Sequence, residues 1–202
     1  MLYQQLLSTA ASALTIAIYY PYLKNVIRGQ VKPHMFSWLV WGTTTTLVFF
    51  AQWKAGGGVG LWAIGGSGLI SLWITAWSWF KQTDLSVSRS DYFFLAGALL
   101  SLPFWYITSD PLVAVVILTG VDLLGYGPTF RKVIKQPDTE SAAFFAWFSA
   151  RNVLVIASLE HYSMTTLLFP VSTFLACGLV SLVIVAGRWD EKKSAVLKDQ
   201  TS

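Results

Sequence analysis

Two charged residues stand inside long apolar runs. Asp122 follows Leu112-Val-Ala-Val-Val-Ile-Leu-Thr-Gly-Val121, and Arg151 precedes Asn152-Val-Leu-Val-Ile-Ala157. A charge at the centre of a bilayer costs about 2.5–3.5 kcal/mol, so such groups face a bundle interior and find a partner. The two are expected at similar depth on adjacent helices, which predicts that they pair. Two roles are open. The pair is a structural lock, or it forms a polar site where a carboxylate exchanges a proton or a substrate group as its surroundings change. Asn152 adds an amide beside Arg151. Trp38 and Trp41 lie one turn apart, with Thr45 further along their face, and Trp147 stands four residues before Arg151. Flat rings on a cavity wall stack on sugars, nucleosides or cations; packing against lipid or protein is the plainer use of the same residues. The candidate binding set is Asp122, Arg151, Asn152, Trp38, Trp41 and Trp147.

Other chemistry is sparse. No Ser-His-Asp or Cys-His set can be assembled at one depth. His34 and His161 fall at opposite interfaces and cannot share a metal. No Gly-rich loop has the spacing and following Lys of a phosphate cradle. Cys177 is the only cysteine and sits in an apolar run, so it reads as a buried thiol with no disulfide partner. We therefore expect no enzyme activity, no cofactor and no metal. The net charge of +4 is spread over short loops, which argues against a nucleic-acid face.

The elements that must position these residues are membrane helices. The chain has 202 residues, 54% hydrophobic and only 12% charged, against about 25% charged in a soluble domain. Its mean hydropathy is +0.56. A spanning helix needs about 20 mainly apolar residues, and seven runs qualify, near 4–26, 34–53, 59–80, 91–108, 111–134, 141–159 and 164–187. The first lacks a basic leader and ends in Tyr-Pro-Tyr, so it reads as a mature helix and not as a signal peptide. Trp53, Trp79, Trp105 and Trp189 fall near span ends, as interface anchors do. The Thr43–Thr46 run and the small residues of Gly65-Gly66-Ser67-Gly68 suit close helix packing. With seven spans, twelve of the fourteen Lys and Arg fall on one side, the exceptions being Lys54 and Arg151. The positive-inside rule then places the N-terminus outside and the C-terminus in the cytoplasm.

The chain also repeats itself. Tyr19-Tyr-Pro-Tyr-Leu-Lys-Asn-Val-Ile-Arg28 returns 107 positions later as Tyr126-Gly-Pro-Thr-Phe-Arg-Lys-Val-Ile-Lys135. Tyr19, Pro21 and Val26-Ile27 match Tyr126, Pro128 and Val133-Ile134. Aligning Trp38 with Trp147 extends the match and sets Arg151 against Gly42. Three spans per copy would invert the second copy, and one extra crossing restores its direction. The expected organisation is all-α: residues 1–85 form one three-helix bundle, 86–110 a linker helix, 111–189 a second, parallel bundle, and 190–202 a disordered cytoplasmic tail. A proline within a helix removes a backbone hydrogen bond. Pro21 and Pro128 are thus either matched hinges or plain helix ends.

This 3+1+3 pattern, with a proline near the cytoplasmic end of each bundle's first helix and basic residues after it, resembles the PQ-loop superfamily. That group includes the SWEET sugar transporters, lysosomal amino-acid exporters and the KDEL-receptor fold; the segment around Val121–Lys132 looks closest to uncharacterised bacterial relatives. The position after each proline is Tyr22 or Thr129 here. The pocket asparagine that sugar-transporting members carry in each bundle's third helix has no counterpart. The resemblance implies a small polar solute transporter in a bacterial inner membrane, working by alternating access around a midplane site, with the proton as candidate coupling ion. The expected partners are a small-molecule substrate and the lipid bilayer. A receptor or sorting protein on the same fold, which binds without carrying, is the alternative.

Overall fold

The computed structural model describes residues 2–29, 33, 35–82, 85 and 89–199. Of the residues named above, Lys32, His34 and the side chains of Pro128, Arg131, Lys132 and those from Asp190 onward lie outside that description. Among the described residues the chain forms seven α-helices and no strand: α1 (Leu2–Ile27), α2 (Met35–Lys54), α3 (Trp62–Phe80), α4 (Arg89–Thr108), α5 (Pro111–Lys135), α6 (Ala142–Ser158) and α7 (Met164–Asp199). Short 3-10 turns at Gly58–Leu61 and Pro137–Thr139 lead into α3 and α6.

Local chemistry sets the boundaries. Gly56 and Gly58 take φ values of 80° and 65° between α2 and α3, a region a β-carbon disfavours. Pro111 opens α5, where its missing N–H costs nothing, and Asp110 Oδ1 accepts the Leu112 N–H at 2.9 Å. Ser141 caps α6 by accepting the Phe144 N–H at 3.2 Å. Neither Pro21 nor position 128 ends its helix, since α1 continues to Ile27 and α5 to Lys135. The last helix departs from expectation. In place of a disordered tail, α7 continues to Asp199; Glu191-Lys-Lys-Ser-Ala-Val-Leu-Lys198 is made mostly of good helix formers.

Among the described residues, three helical stretches are long and apolar enough to cross a membrane: Leu2–Ile27, Gly58–Phe80 and Met164–Trp189. Leu95–Thr108, Pro111–Gly127 and Ala142–Ser158 are shorter apolar helices.

The helices pack in a pattern that repeats when each number is advanced by four. α3 packs on α1 and α2, and α7 packs on α5 and α6. Between these groups, α1 packs on α6 and α2 packs on α5, while α4 lies against α5 and α2. At the amino-terminal end of α1 the two groups are joined. Gln4 Nε2 donates to the Leu159 carbonyl at 3.1 Å; within the first group, Ser8 Oγ donates to the Val59 carbonyl. The Glu160 N–H donates to the Gly57 carbonyl at 3.2 Å. Gln52 Nε2 donates to the carbonyls of Thr165 and Thr166, each at 3.0 Å. One apolar cluster spans both groups here, including Ala11, Val48, Leu61 and Ile64 with Val115, Leu118, Val155 and Phe169. Towards the opposite end the core divides. Met35, Phe36 and Val40 pack with Leu95 and Val121, while Val133, Val180 and Ile184 pack with Tyr126, Phe130 and Phe145.

Glycines let α2 and α3 approach closely. A β-carbon on Gly42 would stand 2.9 Å from the Leu72 backbone nitrogen, and one on Gly68 would stand 2.6 Å from Thr46 Oγ1 and 3.1 Å from the Thr46 backbone nitrogen. Gly66, in the same small-residue run, faces open space. Gly42→Ala is therefore expected to destabilise by about 1–3 kcal/mol through overpacking against backbone. Gly66→Ala is expected to be neutral or stabilising by up to about 1 kcal/mol through helix propensity. Thermal unfolding in detergent checks both; equal effects at the two positions would contradict the close approach.

Candidate functional site

Where the core divides, a cavity of about 470 Å³ lies between the helix groups. α1 lines it with Tyr19 and Tyr22, α2 with Trp38, Trp41 and Thr45, and α3 with Ser67 and Ser71. α5 supplies Asp122, Tyr126 and Thr129; α6 supplies Phe144, Phe145, Phe148 and Arg151; α7 supplies Phe169, Thr173 and Cys177. Glu140 and Ser141, just before α6, line the cavity at the end of the helices away from Gln4 and Leu159. That end is opposite the sealed one.

The lining residues come in related positions. Tyr19 and Tyr126, Tyr22 and Thr129, Trp38 and Phe145, and Trp41 and Phe148 are each 107 apart in the chain, and every one of them lines the cavity. Ser67 with Thr173 and Ser71 with Cys177, each 106 apart, do the same. The 107 spacing thus runs on past the proline segment with no inserted residues. It sets Trp38 against Phe145 in place of Trp147.

Arg151 is 2% exposed, and neutral acceptors surround its guanidinium. Nε donates to Thr15 Oγ1 at 3.0 Å, Nη1 to Asn152 Oδ1 at 3.2 Å and Nη2 to Ser67 Oγ at 2.7 Å. Nη2 also donates to the Ala63 carbonyl. The Phe148 ring lies 5.7 Å from the guanidinium carbon. Arg151 thereby ties α6 to α1 and α3.

The expected Asp122–Arg151 pair does not form. Asp122 is 8% exposed and lines the same cavity, yet among the described residues no hydrogen bond or ion pair reaches its carboxylate. The packing explains why. Asp122 lies 107 positions after Thr15, and Arg151 lies 107 after Thr44. Arg151 meets Thr15 where α6 crosses α1, whereas Asp122 lies on α5, which packs on α2. Asp122 and Arg151 therefore belong to two different crossings. Thr44 Oγ1 donates back to its own Trp41 carbonyl at 3.1 Å, as helix hydroxyls commonly do.

The remaining expected residues divide. Trp38 and Trp41 are in the wall, their rings 5.5 Å apart at 89°. Asn152 is fully buried beside the cavity, not in its lining; it holds Arg151 and donates to the Phe148 carbonyl at 2.9 Å. Trp147 is 57% exposed on the outer surface. The cavity stripe of α6 runs through Phe144, Phe148 and Arg151, and at about 100° per residue Trp147 falls to one side of it. Phe148 takes the wall position assigned to Trp147.

Sequence reasoning also missed Tyr19, Tyr22 and Tyr126 as wall residues, although the repeat contained all three. Cys177 is buried as expected, with its sulfur 3.2 Å from the Tyr126 hydroxyl. Thr45 lines the cavity, whereas Thr44 and Thr46 turn into helix packing.

Compared with known proteins, the chain matches no family model, no curated protein and no solved structure.

Arg151→Lys keeps the charge but loses the planar fork that serves several acceptors at once. It is expected to cost about 1–3 kcal/mol, the penalty for buried groups left unpaired. Asp122→Asn, which removes a buried carboxylate with no described partner, is expected to be neutral or stabilising. A double-mutant cycle by thermal unfolding tests this; a coupling well above about 0.5 kcal/mol would restore the ion pair.

Proposed function

We propose that this chain is a small-solute transporter of the PQ-loop type, with α1–α3 and α5–α7 as two parallel bundles joined by α4. All seven helices would cross an inner membrane, N-terminus outside. The shortest, α6, has 17 residues, the lower limit for a span. The observation that carries the reading is a central cavity lined by positions about 107 apart, closed at one end and reached from the other. Two related helix groups around a shared site are the usual construction for alternating access. One apolar cluster joins the groups at the amino-terminal end of α1, and towards the other end two smaller clusters flank the cavity. The mouth would then face the cytoplasm.

Within this reading Asp122 is the proton-coupling group, because it faces the cavity with no described partner to hold its charge. Arg151 and Asn152 fix the cavity floor. Pro21 and the matched proline at 128 would be hinges that let the mouth close, since each removes a backbone bond within a continuing helix.

Proteoliposome uptake tests the function, with a panel of sugars, amino acids, nucleosides and amines, with and without a pH gradient. Saturable uptake of a panel member is expected. Asp122→Asn is expected to abolish its response to the gradient and to cut its rate by at least about tenfold. Pro21→Ala is expected to slow uptake with little change in stability. Binding without accumulation would favour the receptor alternative.

Orientation is tested separately, with single cysteines in a Cys177→Ser background. An impermeant maleimide on intact cells is expected to label Lys54→Cys and spare Lys135→Cys. The reverse pattern would overturn the proposed orientation.

A further inference from the structure

We propose that the central cavity takes an organic cation that carries no carboxylate of its own, such as a protonated or quaternary amine. The inference rests on the transporter reading of the cavity and names its substrate class.

The first argument is charge. Asp122 presents a carboxylate, more than nine-tenths buried, that no described residue neutralises. Among the described residues the one cationic side chain in the lining, Arg151, is already engaged by Thr15, Ser67, Asn152 and the Ala63 carbonyl, and is 2% exposed. The lining thus offers a counter-ion to a cation and no accessible one to a carboxylate. A zwitterionic amino acid would bury its carboxylate unpaired, which is costly.

The second argument is the wall. Tyr19 lies 5.5 Å from Phe148 at 82° and 6.3 Å from Trp38 at 58°. Tyr22 lies 5.1 Å from Trp38, and Trp41 meets Trp38 nearly at right angles. Rings set at steep angles around one space present faces from several directions, and a cation within about 6 Å of such faces is attracted by their quadrupoles. The wall also reaches the helix of Asp122. A β-carbon on Gly125, one turn from Asp122, would stand 3.3 Å from the Trp41 indole nitrogen.

The third argument weighs an organic cation against a metal ion. Hard cations take six to eight oxygen ligands, and among the described residues no three His, Cys, Asp or Glu side chains gather. A carbon-rich box with a single carboxylate suits an alkylated ammonium better than a bare ion.

Three probes of nearly one shape test the proposal on the full-length protein in detergent, followed by tryptophan fluorescence. Choline carries a trimethylammonium head. 3,3-Dimethylbutan-1-ol replaces that head by a neutral tert-butyl group. Glycine betaine keeps the head and adds a carboxylate. Choline is expected to bind saturably, and the other two at least about tenfold more weakly. Asp122→Asn is expected to bring choline to the level of its neutral isostere, and Trp38→Ala to weaken choline alone. Equal binding of choline and the isostere overturns the proposal, as does betaine matching choline. Because that comparison is made on the unmodified chain, it does not depend on how the variants fold. If choline fails while proteoliposomes carry a neutral or zwitterionic solute, the substrate class is wrong and the transporter reading stands. If nothing in the panel is bound or carried, both fall.

Discussion

A guanidinium buried among apolar helices must have every available N–H aimed at an acceptor, because no water is there to replace a missing one. Arg151 meets most of this demand with four hydrogen bonds, to two hydroxyls, an amide and a main-chain carbonyl drawn from α1, α3 and α6. The helices are held at the separation that this geometry allows. Breaking one contact would leave a charge short of partners in a medium of low dielectric, a far larger penalty than the bond itself contributes. Arg151 thereby holds the floor of the cavity, and the acid that could have neutralised it has no described partner within the lining.

The two halves of the lining are related in position but not in chemistry. Aromatic positions are largely retained, as at Tyr19 and Tyr126 or Trp41 and Phe148. Charge is not. Thr15 answers to Asp122 and Thr44 to Arg151, so both charges belong to the second half of the chain. One charge consolidates a helix crossing and the other faces the cavity. A wall with near-twofold shape and one-sided polarity binds an asymmetric ligand in a single orientation.

Much of the fold was legible because apolar runs, glycine breaks and prolines mark helices directly; α5, expected over 111–134, runs from Pro111 to Lys135. The tail was misjudged because charge density was read as disorder, whereas its alanine, leucine, glutamate and lysine suit a continuing helix. Asp122, Trp38 and Trp41 were legible as wall residues from type and spacing. Trp147 was not, since an aromatic at i−4 from a buried arginine can lie on either edge of the inward stripe, and only packing shows that Phe148 faces in. The tyrosines were overlooked because they were read as markers of a repeat and not as surfaces. Carrying the spacing of 107 onward from Tyr126 leads directly to Phe145 and Phe148. The absent ion pair could not be read from depth alone, because it depends on which helices cross.

The divided core has a mechanical corollary. At the joined end, apolar side chains from both helix groups already shield one another, and prising them apart would expose them. Compensation has to come from the far end, where the cavity wall carries the rings of Trp38 and Phe145. Each aromatic can cover some 150–250 Å², so a few of them meeting face to face would recover an area comparable to what the other end surrendered. The same side chains would then be ligand wall in one conformation and stopper in the other. A polar replacement there would disturb the balance between the two conformations as well as the grip on whatever is carried.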